Sequence, residues 1–260
     1  MTGRYGRTLR AGLVLQLRLI REHRDYAIDL VRTPLLAVVF LLLVRHTGHP
    51  ELVVNAVVAA AMTGLWGMGL LISGEIVDRD RALGTLALTV AAPVPLPVLL
   101  LGRITGTLAA GALAIGEVAL VAVVGFRLDL PVPHPGLLVA TVLATAAAMA
   151  GTSLLMATLF VATRTARTFQ NSLSYPFLLL GGVFVPLSRL PGWTHPPGRL
   201  VFLSWSCDLL RDSLRAAPVA DAWPRLGMVL LLGAAGLGGG LLVLRRVLER
   251  IRVLGTMELA

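Results

Sequence analysis

Glu75, Asp78, Arg79, Asp80 and Arg81 place five charges within seven residues, and Gly84-Thr85 follow closely. The chemistry available to such a cluster is recognition: complementary charge orients a partner and rejects wrong ones. Gly84 permits a tight turn or a close backbone approach. Apolar runs flank the cluster on both sides, so it must sit in water or against another protein. A plain cytosolic connector with topogenic charges is the alternative. Glu117 is the one acid well inside an apolar run, where a carboxylate costs about 3 kcal/mol on insertion scales. It either lines a path for a cationic substrate or lies near headgroups and pairs with Arg127 or water. Asp208 and Arg211, with Asp212 and Arg215, stand at i, i+3 and i, i+4 spacing. Helical ion pairs explain them; a part in an external gate is the other use.

Much other chemistry is excluded. All 23 basic residues are arginine. Without lysine there is no G-x-x-x-x-G-K-[ST] phosphate loop and no Schiff base. The five histidines lie outside the apolar runs and far apart, with no H-E-x-x-H or H-x-x-E-H, so no metal site is expected. Gly151-Thr152-Ser153 is not a G-x-S-x-G elbow, and no histidine lies in a run to serve as its base. A membrane-embedded protease or lipid transferase would need polar residues converging inside the runs, and Glu117 has no such company. Cys207 is the only cysteine, so neither an internal disulfide nor a thiolate cluster can form.

The elements that position these residues follow from composition. The chain has 260 residues, 56% hydrophobic and only 14% charged, with a mean hydropathy of +0.82. Soluble domains carry about 25% charged residues. An all-α integral membrane protein is expected, as one permease-like domain over 1–260. Six runs approach spanning length: Leu30–Val44, Leu52–Ser73, Val98–Phe126, Leu137–Val161, Leu173–Pro186 and Leu226–Leu244. Pro34 suggests where the first span begins; Pro176 with Gly181-Gly182 suggests a bent fifth. The start of the chain lacks a signal-peptide pattern. Residues 8–24 alternate Leu9, Leu13, Leu17 and Ile20 with Arg7, Arg10, Arg18 and Arg21, so 8–29 is expected to be an amphipathic helix at the inner membrane surface. Residues 74–97 form a cytoplasmic loop. Residues 188–225 form an external segment with one or two re-entrant or interfacial helices, Leu200–Leu214 being apolar enough for the interface.

Fifteen arginines fall on one side of the spans and seven on the other. The richer side is cytoplasmic by the positive-inside rule, which puts both termini inside a bacterial plasma membrane. The net charge of +9 is thereby a topological and lipid-facing property rather than a sign of nucleic-acid binding. No internal repeat is visible, against an inverted-repeat carrier. The small-residue runs Ala144–Gly151 and Gly233–Gly240 suit close helix packing.

Three patches carry a family likeness. The first is Asp80-Arg81-Ala82-Leu83-Gly84-Thr85-Leu86, then Pro93 and Gly102-Arg103. The second is Gly181-Gly182-Val183-Phe184-Val185-Pro186-Leu187, then Leu190-Pro191-Gly192-Trp193. The third is Trp205-Ser206-Cys207-Asp208-Leu209-Leu210-Arg211. In order, spacing and placement the chain resembles the permease subunit of type-2 ATP-binding-cassette exporters, in the branch typified by daunorubicin-resistance and nodulation-factor export permeases. Two positions depart from that pattern: Ala87 stands where an acid often follows Gly-Thr-Leu, and Ser204 where a proline usually precedes the third patch. The resemblance implies six spans after an amphipathic elbow helix, and a dimer with a second copy or a paralogue. It implies an ATPase on a separate chain, holding the ATP and Mg, so that this chain binds no cofactor and is not itself an enzyme. It further implies that Glu75, Asp78, Arg79, Asp80, Arg81, Gly84 and Thr85 lie in the coupling loop that meets that ATPase. Cargo is expected to be apolar or amphipathic, an antibiotic-like drug first and a lipid or glycolipid second. A non-transporting scaffold or immunity protein is the competing class.

Overall fold

The computed structural model describes residues 2–22, 24–72, 76, 80, 84, 95–161 and 166–254. Glu75, Asp78, Arg79, Arg81 and Thr85 lie outside the described residues. The described residues form helices, turns and coil, without a strand.

Nine α-helices appear among them: α1 Thr2–Glu22, α2 Arg24–Thr47, α3 Val53–Trp66, α4 Leu96–Leu120, α5 Pro135–Val161, α6 Ala166–Leu180, α7 His195–Arg199, α8 Phe202–Ser213 and α9 Ala222–Leu254. Two continue as π-helix, α3 through Gly67–Ile72 and α4 through Val121–Gly125. Among the described residues three segments are long and apolar enough to cross a membrane: Leu96–Gly125, Pro135–Leu159 and Ala222–Arg246. Helices also lie on the other three apolar runs, Val53–Gly69 as a shorter apolar helix and the fifth run helical only as far as Leu180.

Pro34 does not open a helix, against the sequence expectation. It lies inside α2, which begins ten residues earlier. Proline is tolerated within membrane helices because neighbouring helices and hydroxyl side chains satisfy the freed backbone. Thr33 is buried beside it, against Gly64 of α3, where a Cβ would stand 2.6 Å from the threonine methyl.

The two small-residue runs meet. Gly151 of α5 lies against the Gly233 carbonyl of α9, Gly236 against Thr152, and Gly240 against Leu155. Backbone thus touches backbone over two turns, which is how helices associate when lipid removes the hydrophobic drive between them. A Cβ at Gly233 would collide with the Ala148 backbone. Gly233→Val is expected to destabilise by about 1–3 kcal/mol, since main chain cannot yield as a side-chain tip can. A thermal melt in detergent that matches the parent would refute this.

The main core joins α3, α4, α5, α8 and α9 through buried Met62, Leu65, Ile104, Met149, Leu203 and Val229. Trp66 stacks on Phe177 of α6 at 5.9 Å. The buried Ser153 hydroxyl donates to the Gly69 carbonyl, in the π segment that continues α3, over 2.7 Å. That is a structural job for a serine with no nucleophilic setting.

The bundle has two distinct ends. One carries α1, the start of α4, and Asp80. The other carries the α2–α3 turn, the close of α4, and the short helices α7 and α8.

Candidate functional site

At the first end, α1 lies along the root of α4. Its buried face is Thr8, Gly12 and Gln16, spaced four apart. Leu9 and Leu17 of the leucine stripe are each 39% exposed. Of the stripe, Ile20 packs against Met68 and Ala110, while the contact along the root of α4 is made by small and polar residues. Gly12 abuts the Leu99 carbonyl, Gly102 abuts that of Leu9, and Gly106 that of Leu13. Glycine at these three places removes the Cβ atoms that would hold the helices apart.

Arg103 projects from this contact and is 3% exposed. Its NH1 donates to Asp80 Oδ2 at 2.5 Å and its Nε to Gln16 Oε1 at 3.2 Å. Loop residue, amphipathic helix and spanning helix thus converge on one guanidinium. Asp80 is only 8% exposed, so the expectation that this charge faces water or another protein does not hold for it. A buried guanidinium needs a counter-charge, and Asp80 supplies it from within the chain. Gly84, four residues on, is an exposed turn at φ +68°, a conformation glycine adopts without strain.

At the other end, the second and third patches interlock. Arg211 of α8 is 2% exposed and donates through NH2 to the carbonyls of Gly182 at 2.6 Å and Val183 at 2.9 Å. Gly182 takes φ +65°, which turns both carbonyls toward that one nitrogen. Asp208 lies 3.7 Å from Arg211 and accepts a closer bond from Arg199, at 3.0 Å. Arg199 also sits over the Trp205 ring, 4.5 Å from its centroid, while Trp205 Nε1 donates to the Arg199 carbonyl. Asp212 is 4.0 Å from Arg215 but 2.8 Å from Arg225 of α9. The i, i+3 ion pairs are thus present but long; the short bonds come from other elements, where position along one helix gives no hint of them.

A cleft of about 490 Å³ opens beside these pairs, and an apolar groove of about 320 Å³ adjoins it. Asn55, Pro186 and Arg189 line both. Phe40 and Phe184 meet edge-to-face in the groove, ring centroids 6.2 Å apart.

Glu117 is half-buried on α4. No hydrogen bond reaches its buried Oε2, and Arg127 makes no ion pair with it among the described residues. Cys207 is fully buried, and that burial pushes its thiol up to about 12. At pH 8 about one thiol in ten thousand would be ionised. A membrane-permeant maleimide is therefore expected to leave the folded chain unlabelled and to label it on unfolding; rapid labelling of the native protein would contradict the burial. The shift also carries a sign. Above pH 9 the unfolded thiol loses its proton while the folded one keeps it, so this group lowers stability as pH rises from 9 toward 12. No group of three or more metal-binding side chains occurs among the described residues.

The family model described as ABC-2 type transporter matches residues 14–214, from α1 through α8. The chain belongs to the ABC-2 type transporter family. No curated protein and no solved structure matches it. As an ABC-2 membrane domain the chain is a multi-pass transport permease without an ATPase site of its own. Gln16, Asp80 and Arg103 at one end and Arg199, Asp208 and Arg211 at the other fall inside the matched range, while Thr8, Gly12 and Arg225 lie outside it. Sequence reasoning missed Asp80 and Gln16 as partners of Arg103, and Arg199 as the nearer partner of Asp208.

Proposed function

We propose that the chain is the permease subunit of an ATP-driven exporter, with six spans, an interfacial elbow helix α1, and both termini in the cytoplasm of a bacterial cell. Two permeases, identical or paralogous, enclose the path. A separate ATP-binding-cassette ATPase, holding ATP and Mg, docks on the 74–97 loop. The observation that carries this reading is the Asp80–Arg103–Gln16 node, within a chain that matches the ABC-2 family over 14–214. A loop pushed by an ATPase moves the bundle only if it is tied to it, and Asp80 is tied to Arg103 of α4, which in turn bonds Gln16 of α1. In this reading Glu75, Asp78, Arg79 and Arg81 face the ATPase, while Asp80 transmits the push.

Exposed Trp193 and Trp223 at the α8 end suit the outer membrane–water boundary, where indoles collect. The leucine stripe of α1 would face lipid. An amphipathic drug or antibiotic is the first candidate cargo, a lipid or glycolipid the second. Affinity purification of the tagged chain in mild detergent is expected to bring an ATPase with it. Arg79→Ala with Arg81→Ala is expected to abolish cargo-stimulated hydrolysis while leaving insertion unchanged. Recovery without any ATPase, or unchanged stimulation in the double variant, would overturn the reading.

A further inference from the structure

We propose that the cleft and the groove at the α8 end form one site for an anionic amphiphile whose head also carries a hydroxyl. The cleft is lined by five arginines and three aspartates, so it keeps an excess of positive charge after every acid is paired. Two of these arginines hold spare donors. Arg211 is 2% exposed, yet its Nε and NH1 make no hydrogen bond. Arg189 makes no ion pair among the described residues and lines both cavities. A buried guanidinium with free donors, Arg211, beside an exposed one, Arg189, suits a phosphate or a carboxylate.

The apolar half is the groove between α2, α3 and the 184–186 turn, where Phe40, Leu43 and Phe184 offer a wall for a tail. Asn55 stands where the two halves meet. It is 7% exposed, and its Oδ1 is buried without a partner. A buried acceptor left unpaired is costly, and it calls for a donor. An oxyanion cannot supply one; a hydroxyl beside the oxyanion can. Tail, oxyanion and hydroxyl donor together describe a lipid-like molecule with a polyol or sugar head. Basic pockets between membrane helices hold such headgroups.

This assignment concerns binding by this chain alone and does not depend on the exporter reading. The test uses the purified full chain in nanodiscs of phosphatidylcholine, with or without phosphatidylglycerol of the same tails. After transfer to detergent, native mass spectrometry counts the retained lipid. Phosphatidylglycerol is expected to be retained about tenfold more than phosphatidylcholine. Arg189→Gln, an exposed and unpaired position, is expected to erase that preference with an unchanged melting temperature. Asn55→Leu is expected to reduce the advantage of phosphatidylglycerol over a hydroxyl-free alkyl sulfate. Equal retention of the two phospholipids, or a preference that survives Arg189→Gln, overturns the proposal. Once binding is established, a second arm separates the sources: with the ATPase present, a bound amphiphile that stimulates hydrolysis and changes leaflet is cargo. One that is retained without either effect is a resident lipid of the same site.

Discussion

Arg211→Ala is expected to destabilise the protein by about 3–5 kcal/mol, seen as a large fall in melting temperature and in recovery from detergent. The carbonyls of Gly182 and Val183 lose their shared donor, and both are held toward it by the positive φ of Gly182. Buried carbonyls left unpaired cost about 1–3 kcal/mol each. Asp208 retains Arg199, so the acid is not stranded. Arg211→Met separates the causes. It restores bulk but no donor, so it is expected to melt nearly as low as the alanine variant. Arg211→Lys keeps the charge without the planar fork and is expected to recover less than half the loss. A methionine variant that melts like the parent would show that the carbonyl bonds carry nothing.

Asp80→Ala is expected to cost a similar amount, about 3–5 kcal/mol, because it leaves the Arg103 guanidinium buried with only Gln16 as partner. Removing both charges, by Asp80→Leu with Arg103→Met, is expected to restore most of the melting temperature, since well-packed apolar pairs often replace buried ion pairs without loss. On the coupling role proposed for this node, the apolar pair is also expected to lose ATPase stimulation while staying folded. Thermal melts beside hydrolysis assays read the two effects apart. Stimulation at the parental level in the double variant would leave the pair a purely structural strut.

The contrast between Asp80 and its neighbours in sequence bears on what the chain revealed before it folded. Hydropathy was sufficient to place a helix on each of the six runs, because apolar length is a property of consecutive residues, though on the fifth the helix stops at Leu180. The glycine and alanine runs of α5 and α9 were also legible, since small residues at four-residue spacing have one obvious use. The docking face of α1 was not. The leucine stripe dominates the periodicity, yet Thr8, Gly12 and Gln16 make the contact with α4. Amphipathic patterning separates water from everything else, and cannot separate lipid from a protein neighbour that presents glycine.

The expected helical ion pairs are present, but their closer partners were not legible, for a related reason. Spacing along one helix suggested Asp208 with Arg211 and Asp212 with Arg215. The closer partners, Arg199 and Arg225, come from α7 and α9. Asp80 and Arg103 are 23 residues apart, and Gln16 is 87 residues from Arg103. Such pairings depend on how helices are laid side by side, which no local pattern records. Part of the likeness to known permeases turns out to have a physical basis. Asp80 and Arg103 of the first patch bond to each other, and the second patch is bolted to the third through Arg211.

The glycine seam between α1 and α4 bears on how the protein is made. The amphipathic helix leaves the ribosome before its docking groove, which is translated nearly ninety positions later. At 5–20 residues per second, the 87 residues between Gln16 and Arg103 take about 4–17 s to synthesise. For that interval the nascent helix has no groove to enter; on the interfacial placement proposed for it, its exposed leucines would rest in the headgroup layer. The seam then closes as a late step of biogenesis, drawing the start of the chain against a helix that has only just been inserted.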